Sequence, residues 1–336
     1  MKRMPLVTQE FVDILRCPKT GQRLQFQQVQ AQADGGEGWL ACADGLHRYP
    51  VRGGIPRFVP ESNYAESFGF QWNLHARTQL DSHSGLPVSH DRLWAAIGGK
   101  ADLRGQRVLE AGSGAGRFTE VLIASGAEVV TFDYSSAVDA NARNQAACPR
   151  LHFFQGDIFS IPLAPESFDK VVCLGVIQHT PDPHAAFHSL AKYVRPGGQL
   201  VIDCYTRNFA ALLQWKYLLR PITKRVRRQT LYRVIEAMTP PLVPIAKLLR
   251  RLAGRLGARL VPIVEYSHLG LAPELNVQWA VLDTFDMYSP AHDHPASLDT
   301  VARWFREAGF EQVHVRYGAN GVVGSGRRPV GDSHPS

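Results

Sequence analysis

The sequence has few cysteines, no long apolar run and one stretch that is almost free of acids. Five cysteines in 336 residues are few and odd in number, which argues against a disulfide scaffold and favours a reducing compartment. No run of about 18 apolar residues occurs, and the N-terminal segment has no apolar stretch fit for a secretory signal. We therefore expect a soluble, cytoplasmic protein whose 45% hydrophobic content fills one large core and a satellite domain or insertion.

Acids are nearly missing between Lys216 and Arg259, where twelve Lys or Arg stand against the single acid Glu236. This stretch carries a net +11, so the rest of the chain sums to −4 within a total of +7. Its cations at 247, 250, 251, 255 and 259 fall on one helical face, opposite Ile245, Leu248, Leu249, Leu252 and Leu256. Such a helix either caps the functional site with its basic side in solvent, or lies in a membrane interface with its cations toward anionic headgroups.

From residue 105 onward, short apolar segments alternate with segments of helical spacing. Strands are predicted at 107–112, 128–133, 151–157, 168–175, 199–205, 311–317 and 321–328. Helices are predicted at 117–125, 136–147, 183–194 and 297–310, the last with Ser297 as its N-cap. This alternation predicts an α/β, doubly wound, Rossmann-like fold with a seven-stranded sheet covered by helices on both faces.

Composition divides the chain into five parts. We expect a small β-rich module at 1–60, a helical lid or linker at 61–105, and a sheet core at 106–206 together with 297–328. Residues 207–296 form a basic helical insertion that is expected to act as a substrate cap, and 329–336 a flexible tail.

Three glycines spaced two apart follow the first core strand, in "VLEAGSGAGRF" (108–118). Glycines directly after a buried strand let the backbone approach a ligand closely, and the helix that follows presents free N–H groups. A dinucleotide site would have the pattern G-x-G-x-x-G, but here Arg117 takes the place of the third dinucleotide glycine. The spacing therefore disfavours NAD as the ligand.

Acids stand around this loop at the ends of three segments. Glu110 precedes the loop, Asp133 ends the second strand, and Asp157 ends the third strand. A carboxylate at the position of Asp133 can accept hydrogen bonds from both hydroxyls of a ribose. Asp157 can accept a hydrogen bond from an adenine amino group. The loop and the acids together predict a nucleoside-containing ligand.

The ordered set resembles the class I S-adenosylmethionine-dependent methyltransferases, of type 11/12, whose E/D-x-G-x-G-x-G motif, second-strand acid and G-D-[IVA] step occur in this order. The resemblance covers about 107–206, and the last helix and strands more loosely. It implies S-adenosylmethionine as cofactor and an in-line displacement on the sulfonium methyl that depends on positioning and desolvation. The implied cofactor-binding residues are Glu110, Gly112, Ser113, Gly114, Gly116, Asp133, Tyr134, Asp157, Ile158 and Leu174.

A general base is needed only where the methyl acceptor is a hydroxyl or another weak acid. His179, just after the fourth strand, and Asp203, in the fifth, are the catalytic candidates. Further candidates in the insertion are His268, His292 and His294. Each of these side chains could instead have a structural role. Asp182, which precedes Pro183, is expected to be a helix N-cap.

The N-terminal "ILRCPKTGQRL" and "LACADGLHRYPVRGGIPRF" resemble the Trm112-like zinc-ribbon module, and keep its Y-P-[IV]-x-x-G-I-P ending. The zinc knuckles are not kept, because Cys17 is followed three residues on by Thr20, and Cys42 by Gly45. Two thiolates do not complete a tetrahedral site, and His47 would add only a third ligand. We therefore expect a ribbon without metal and assign no metal-binding residue.

Between the ribbon and the sheet, "SFGFQWNLHARTQLD" (67–81) resembles the F-G-x-Q-W segment of small-molecule methyltransferases, which forms part of a lid over the cofactor. The resemblance implies that Phe70 and Trp72 stack over the methionine end of the cofactor and that Arg77 lies near its carboxylate. The alternative is that the aromatic residues pack between two domains.

Together these features favour a methyltransferase that modifies a metabolite, sugar or lipid-linked intermediate by O- or C-methylation. The alternative is an RNA methyltransferase, since a ribbon joined to a class I domain also resembles ribosomal RNA guanine methyltransferases and the basic stretch would suit phosphates. The missing zinc ligands and the absence of an N-P-P-Y tetrad disfavour that alternative. A third hypothesis is a non-catalytic adaptor that binds a partner through the ribbon. The basic insertion adds an expectation of peripheral contact with an anionic membrane surface, on the inner face of the membrane.

Overall fold

Two sheets organise the part of the chain that the structure describes. This computed structural model describes residues 7–28, 36–60, 63–145, 148–207 and 215–330. A four-stranded antiparallel sheet is followed along the chain by a seven-stranded mixed sheet. Residues 331–336 of the expected tail, and the last two residues of the helix expected at 136–147, lie outside the described residues.

The N-terminal module consists of a short helix and four strands. Its elements are α1 (Gln9–Ile14), β1 (Leu24–Gln28), β2 (Gly38–Cys42), β3 (Arg48–Arg52) and β4 (Ile55–Pro56). The strands pair in chain order, and Thr8 caps α1 by accepting a hydrogen bond from the backbone N–H of Phe11. The apolar face of the module does not form a core of its own, because Phe11, Leu40 and Phe154 belong to one continuous buried cluster with the main sheet.

The main sheet has the predicted strands in a doubly wound order. They are β5 (Arg107–Ala111), β6 (Glu128–Asp133), β7 (Leu151–Gln155), β8 (Phe168–Leu174), β9 (Val194–Cys204), β10 (Glu311–Gly318) and β11 (Gly321–Arg327). Their spatial order is β10-β11-β9-β8-β5-β6-β7, with β11 antiparallel to both of its neighbours and the other pairs parallel. The predicted Rossmann-like, seven-stranded fold is confirmed. The order reverses at β5, between β6 and β8, which places a ligand crevice outside the carboxyl ends of these strands.

Helices cover both faces of the sheet and build the insertion. They are α2 (Glu66–Leu74), α3 (Asp81–Ser84), α4 (Val88–Ile97), α5 (Arg117–Ala124), α6 (Ala137–Gln145), α7 (Pro183–Ala191), α8 (Trp215–Thr223), α9 (Arg228–Ala258), α10 (Pro273–Tyr288) and α11 (Leu298–Glu307). Asp182 and Ser297 cap α7 and α11 by accepting backbone N–H hydrogen bonds, as their sequence positions predict. Among the described helices, none combines the length and the apolar character required to cross a bilayer.

The insertion packs as a helical layer around α10. Trp279 and Phe285 of α10 are fully buried, and Leu231 and Ile235 of α9 pack on the same side of Phe285. Helix α9 is not one straight rod: Gly254 has a φ of 59° and Ala253 a non-helical ψ, so the chain bends there. The break divides the basic amphipathic stretch, which the sequence predicts as a continuous helix.

Candidate functional site

A cavity of about 790 Å³ lies between the carboxyl edge of the sheet and the insertion. Its walls come from the loops after β5, β6, β8 and β9, from α2, and from the insertion helices. The volume falls within the range of about 300–1,000 Å³ that small-molecule sites occupy. The predicted cofactor residues that line it are Trp72, Gly112, Ser113, Gly114, Asp133, Tyr134, Ile158 and Leu174.

In the glycine loop after β5, each of the three glycines is required for a different structural reason. All three have positive φ: 77° at Gly112, 52° at Gly114 and 94° at Gly116. A Cβ at Gly112 would lie 2.3 Å from a methyl carbon of Val176, and one at Gly116 would lie 2.1 Å from the side-chain oxygen of Asn141. At Gly114 the nearest atoms belong to the indole of Trp72, 3.2 Å away, so a Cβ there would fill the floor of the cavity. Gly116 faces α6 and does not line the cavity.

Asp133 ends β6 at the wall of the cavity with most of its hydrogen-bonding capacity used. Oδ1 accepts hydrogen bonds from the backbone N–H and the hydroxyl of Ser135, at 2.9 and 2.7 Å. Oδ2 accepts one from the N–H of Gly114 at 2.9 Å. Burial raises the pKa of Asp133, although these donors oppose the rise. A carboxylate has about four lone-pair sites, so Oδ2 keeps room for one further donor.

Glu110 lies beneath the loop and not beside the ligand space. Its Oε2 accepts hydrogen bonds from the hydroxyls of Thr119 and Thr131, at 2.5 and 2.8 Å. Burial raises the pKa of Glu110 to about 7. The side chain holds β5, β6 and α5 together, which corrects its place in the predicted binding set. Asp157 is also outside the cavity lining, and accepts the backbone N–H of Phe159 at 3.0 Å.

The lid segment contributes different residues from those that its motif implies. Trp72 lines the cavity, but Phe70 packs against the rings of Tyr232 and Phe285, at 5.5 and 5.9 Å. Phe70 therefore packs against the insertion and does not line the cavity. Arg77 is exposed and does not line the cavity. Phe68 lines it instead.

An arginine that directly follows the glycine loop lines the cavity, although Arg77 does not. Arg117, directly after the glycine loop, lines the cavity and donates to Gln79 at 2.5 Å and to Ser89 at 3.0 Å. Burial lowers the pKa of Arg117 to about 10, so the guanidinium stays charged at neutral pH. In the sequence, Arg117 stands where a dinucleotide site would have its third glycine. Its position directly after the loop could also have indicated a cavity-lining cation.

His179 is a buried imidazole at the cavity wall. Its Nδ1 lies 3.1 Å from the carbonyl oxygen of His292, and the rings of Phe68 and Tyr205 lie 5.1 and 5.3 Å from its own. Because a carbonyl can only accept, Nδ1 carries the proton of the neutral ring and Nε2 is the basic nitrogen. Burial lowers the pKa of His179, so the ring is neutral near pH 7. The position supports the catalytic prediction for His179, which stays a prediction.

Asp203 has no capacity left for proton transfer. This buried carboxylate accepts hydrogen bonds from Arg92 at 2.7 and 2.9 Å, from the N–H of Gly175 at 2.5 Å and from Asn320 at 3.1 Å. Its role is to fix the ends of β8 and β9 and the loop after β10, which corrects the prediction that Asp203 is catalytic. His268 lines the cavity, whereas His292 and His294 do not.

The insertion contributes a buried charged network that the sequence analysis did not find. Lys216 and Arg220 pair with Asp293 at 3.0 and 3.1 Å, and all three side chains are less than a tenth exposed. Asp283 accepts hydrogen bonds from Gln79 at 3.0 Å and from Tyr266, and burial raises its pKa to about 6. The sequence signal for Asp283 is the pair of acids three residues apart, at 283 and 286, in the second half of α10.

Asp286 completes the wall opposite the glycine loop. It accepts hydrogen bonds from Gln71 at 3.1 Å and from the hydroxyl of Tyr205 at 3.2 Å. Burial raises the pKa of Tyr205, and the neighbouring carboxylates raise it further. The cavity therefore has one side built from backbone groups and one built from paired charges.

The middle of the chain matches a known family. Residues 109–202 match the family model described as a methyltransferase domain. A ubiquinone biosynthesis O-methyltransferase of Alkalilimnicola ehrlichii is 34% identical over 149 residues, which cover 42% of this chain and 59% of that protein. A demethylmenaquinone methyltransferase of Clavibacter sepedonicus is 32% identical over 120 residues, 35% of this chain and 49% of that protein. The chain thus spans about half to three-fifths of the length of these curated relatives.

Solved structures resemble the chain more distantly. A Haloferax volcanii complex of the Trm112 methyltransferase activator with a methyltransferase aligns with a TM-score of 0.46 at 14% identity, covering 79% of this chain and 98% of that one. An O-methyltransferase family protein of Burkholderia thailandensis aligns with a TM-score of 0.45 at 14% identity, covering 78% and 59%. Residues 109–202, which carry the glycine loop and the acid of β6, are the part of this chain that is similar to a methyltransferase domain.

Proposed function

We propose that the protein is an S-adenosylmethionine-dependent methyltransferase that methylates a hydroxyl group of a small molecule. The observation that carries the proposal is one cavity with the glycine loop and Asp133 on one side and the basic Nε2 of His179 among its lining residues. The match of residues 109–202 to the methyltransferase domain supports the same reaction class.

The residues present fit the cofactor. Gly112 and Gly114 keep the loop bare where the ligand would lie, and Asp133 retains an acceptor site for a ribose hydroxyl. Tyr134, Ile158 and Leu174 would hold the adenine, Trp72 would cover the methionine end, and the guanidinium of Arg117 would face its carboxylate. When bound, the cofactor supplies a methyl group on a positively charged sulfur.

Removal of the proton from the acceptor hydroxyl is the step that the side chains of this protein would carry out. His179 Nε2 would take the proton from the hydroxyl as its oxygen attacks the methyl carbon. The rings of Phe68 and Tyr205 beside the imidazole exclude water from that oxygen. The low pKa of the buried ring keeps Nε2 unprotonated near neutral pH.

The acceptor class follows from the cavity and from the names of the relatives. The aromatic and apolar side chains among the cavity-lining residues suit a hydroxylated aromatic ring. Ubiquinone and demethylmenaquinone methyltransferases are the curated relatives, so quinol-type acceptors that carry an apolar chain are the first to test. An RNA acceptor is not favoured, because Lys216, Arg220 and Arg250 are paired with carboxylates inside the insertion.

The insertion also supports peripheral contact with an anionic membrane. Exposed aliphatic side chains lie on both sides of the bend in α9 and just beyond its end: Ile245, Leu248, Leu252, Leu256 and Leu260, which are 49–75% exposed. Exposed cations at Lys247 and Arg251 lie among those before the bend. Apolar side chains with neighbouring cations are the composition of a surface that lies in a lipid interface. Arg250 leaves the predicted basic face, because its guanidinium pairs with Glu265 at 2.5 Å.

Methyl transfer can be tested with labelled cofactor. Purified protein is titrated calorimetrically with S-adenosylmethionine and then incubated with methyl-labelled cofactor and a series of dihydroxylated aromatic acceptors, with and without an apolar chain. We expect saturable cofactor binding and transfer of label to at least one acceptor. The matched acceptor whose hydroxyls are already methylated should receive none. Absence of cofactor binding would refute the proposal.

A further inference from the structure

A cluster of side chains that can ligate a metal ion lies on the outer surface, away from the cavity. His184 and His188 stand four residues apart on α7, and Glu307 is the last residue of α11. None of these three residues lines the cavity. Histidines four residues apart lie on one face of a helix. The packing of α11 beside α7 brings the carboxylate of Glu307 to them.

The three ligand atoms already have the spacing of a metal site. His184 Nε2 lies 2.9 Å from Glu307 Oε2 and 3.1 Å from His188 Nε2, and His188 Nε2 lies 3.7 Å from the same oxygen. With bonds of about 2.0–2.1 Å, two ligands of a tetrahedral zinc ion are roughly 3.3 Å apart. The circle through the three atoms has a radius of about 1.9 Å, so one ion can contact all three at normal bond lengths.

The surroundings leave these atoms available. Arg303 approaches the other oxygen of Glu307, Oε1, at 3.7 Å, and does not occupy the oxygen that faces the histidines. The ring of Trp304 lies 6.3 Å from that of His184 and supports the imidazole from the side.

We propose that His184, His188 and Glu307 bind a divalent transition-metal ion, zinc above all, that clips α7 to α11. Two imidazoles and one carboxylate suit borderline ions, whereas calcium and magnesium prefer oxygen ligands. The fourth position is left to water, because the cluster is open to solvent. In the sequence, the histidines at 184 and 188 are a local signal for such a site, but Glu307 is more than a hundred residues away in the chain.

The test uses the full chain without an affinity tag, titrated with zinc chloride by calorimetry. We expect one equivalent to bind and to raise the melting temperature. His188→Ala and Glu307→Gln should each weaken binding by at least about tenfold and abolish the shift in melting temperature. His90→Ala is the matched control, because His90 is an exposed histidine that contacts a carboxylate outside the cluster. Circular dichroism verifies that each variant is folded.

Cobalt binding gives an independent readout, because a cobalt ion in a three-ligand site with an open position has a characteristic visible absorption that His188→Ala should remove. The proposal is overturned if the wild-type chain shows no saturable binding, or if His188→Ala binds as tightly as wild type. Zinc that persists in His188→Ala and is lost in Cys17→Ser would belong to the ribbon, and would also overturn it.

Discussion

The two halves of the cavity are built in different ways. On the sheet side, the site is made of backbone: the loop at Gly112 and Gly114 has positive φ, and Asp133 is fixed by N–H groups close by in the fold. On the insertion side, it is made of side chains far apart in sequence, such as Lys216 with Asp293 and Gln79 with Asp283. A backbone site serves a ligand part that never varies, whereas a side-chain network can change with the acceptor. Under the proposed function, the first side would hold the cofactor and the second would select the acceptor.

The largest expected effect is on catalysis by a variant of His179. It tests whether the acceptor and the cofactor are bound by separate parts of the cavity. Replacing His179 with Asn should lower kcat by roughly 10²–10⁴-fold, because a positioned general base contributes about that factor. Cofactor affinity, measured by calorimetry, should not change. In the wild type, kcat/KM should rise with pH through a midpoint below 6.5, since burial lowers the pKa of His179, and the variant should lose this dependence. An equal loss of cofactor binding would contradict the division of the cavity into two sides.

The next effect concerns the stability of the insertion side. Asp293→Asn leaves Lys216 and Arg220 as buried cations without their carboxylate, which should lower the free energy of unfolding by about 3–5 kcal/mol. Urea unfolding followed by tryptophan fluorescence measures the change. Glu166→Gln is the matched control, because its pair with Arg328 is largely exposed and should contribute under about 1 kcal/mol. Equal effects of the two substitutions would show that the Asp293 network is not structurally important.

A third effect concerns the sheet side. Asp133→Ala removes the acceptor for a ribose hydroxyl and leaves the N–H of Gly114 without its partner. We expect cofactor binding to weaken by about 2–3 kcal/mol, or roughly 30- to 150-fold in Kd. Asp157→Ala should weaken it less, since Asp157 does not line the cavity. Calorimetry that found the two variants alike, or Asp133→Ala unchanged, would remove Asp133 from the site.

The smallest effect tests the outer surface of the insertion. Leu252→Ser and Leu256→Ser, at side chains 75% and 71% exposed, should each weaken binding to phosphatidylglycerol-containing vesicles by about 1–2 kcal/mol at low salt. Co-sedimentation measures the bound fraction. Leu46→Ser is the control, because that leucine is 83% exposed but belongs to the N-terminal module. If vesicles fail to bind the wild-type chain, or if Leu46→Ser has the same effect, the membrane proposal is wrong.

The sequence was sufficient for the sheet and insufficient for the insertion, and the reason is physical. Strands β5 and β6 are short, mostly apolar and buried, and an acid at the carboxyl end of such a strand must lie at the sheet edge. Asp133 could therefore be placed from its position alone. Asp203 could not be interpreted in this way, because whether such an acid is free depends on Arg92, more than a hundred residues away in the chain.

Long-range pairing also explains the other errors. Glu110 looks like its neighbours in the acidic set, but alternation along β5 turns it under the loop toward Thr119 and Thr131. Phe70 and Phe68 lie in one motif, and only the approach of α10 decides which ring reaches the cavity. Asp293 has no local pattern at all, since its partners follow from the packing of α8.

The core shared between the N-terminal module and the main sheet has a consequence for the order of folding. Phe11 stacks on His152 with ring centroids 4.8 Å apart, and the N–H of Phe58 donates to the carbonyl of Gln155 at the outermost strand, β7. The module precedes the main sheet in the chain, and the surface that buries it is made roughly 100 to 140 residues later. The module therefore cannot complete its packing until β7 has been synthesised, and it then covers the open edge of the sheet, which prevents pairing with another chain.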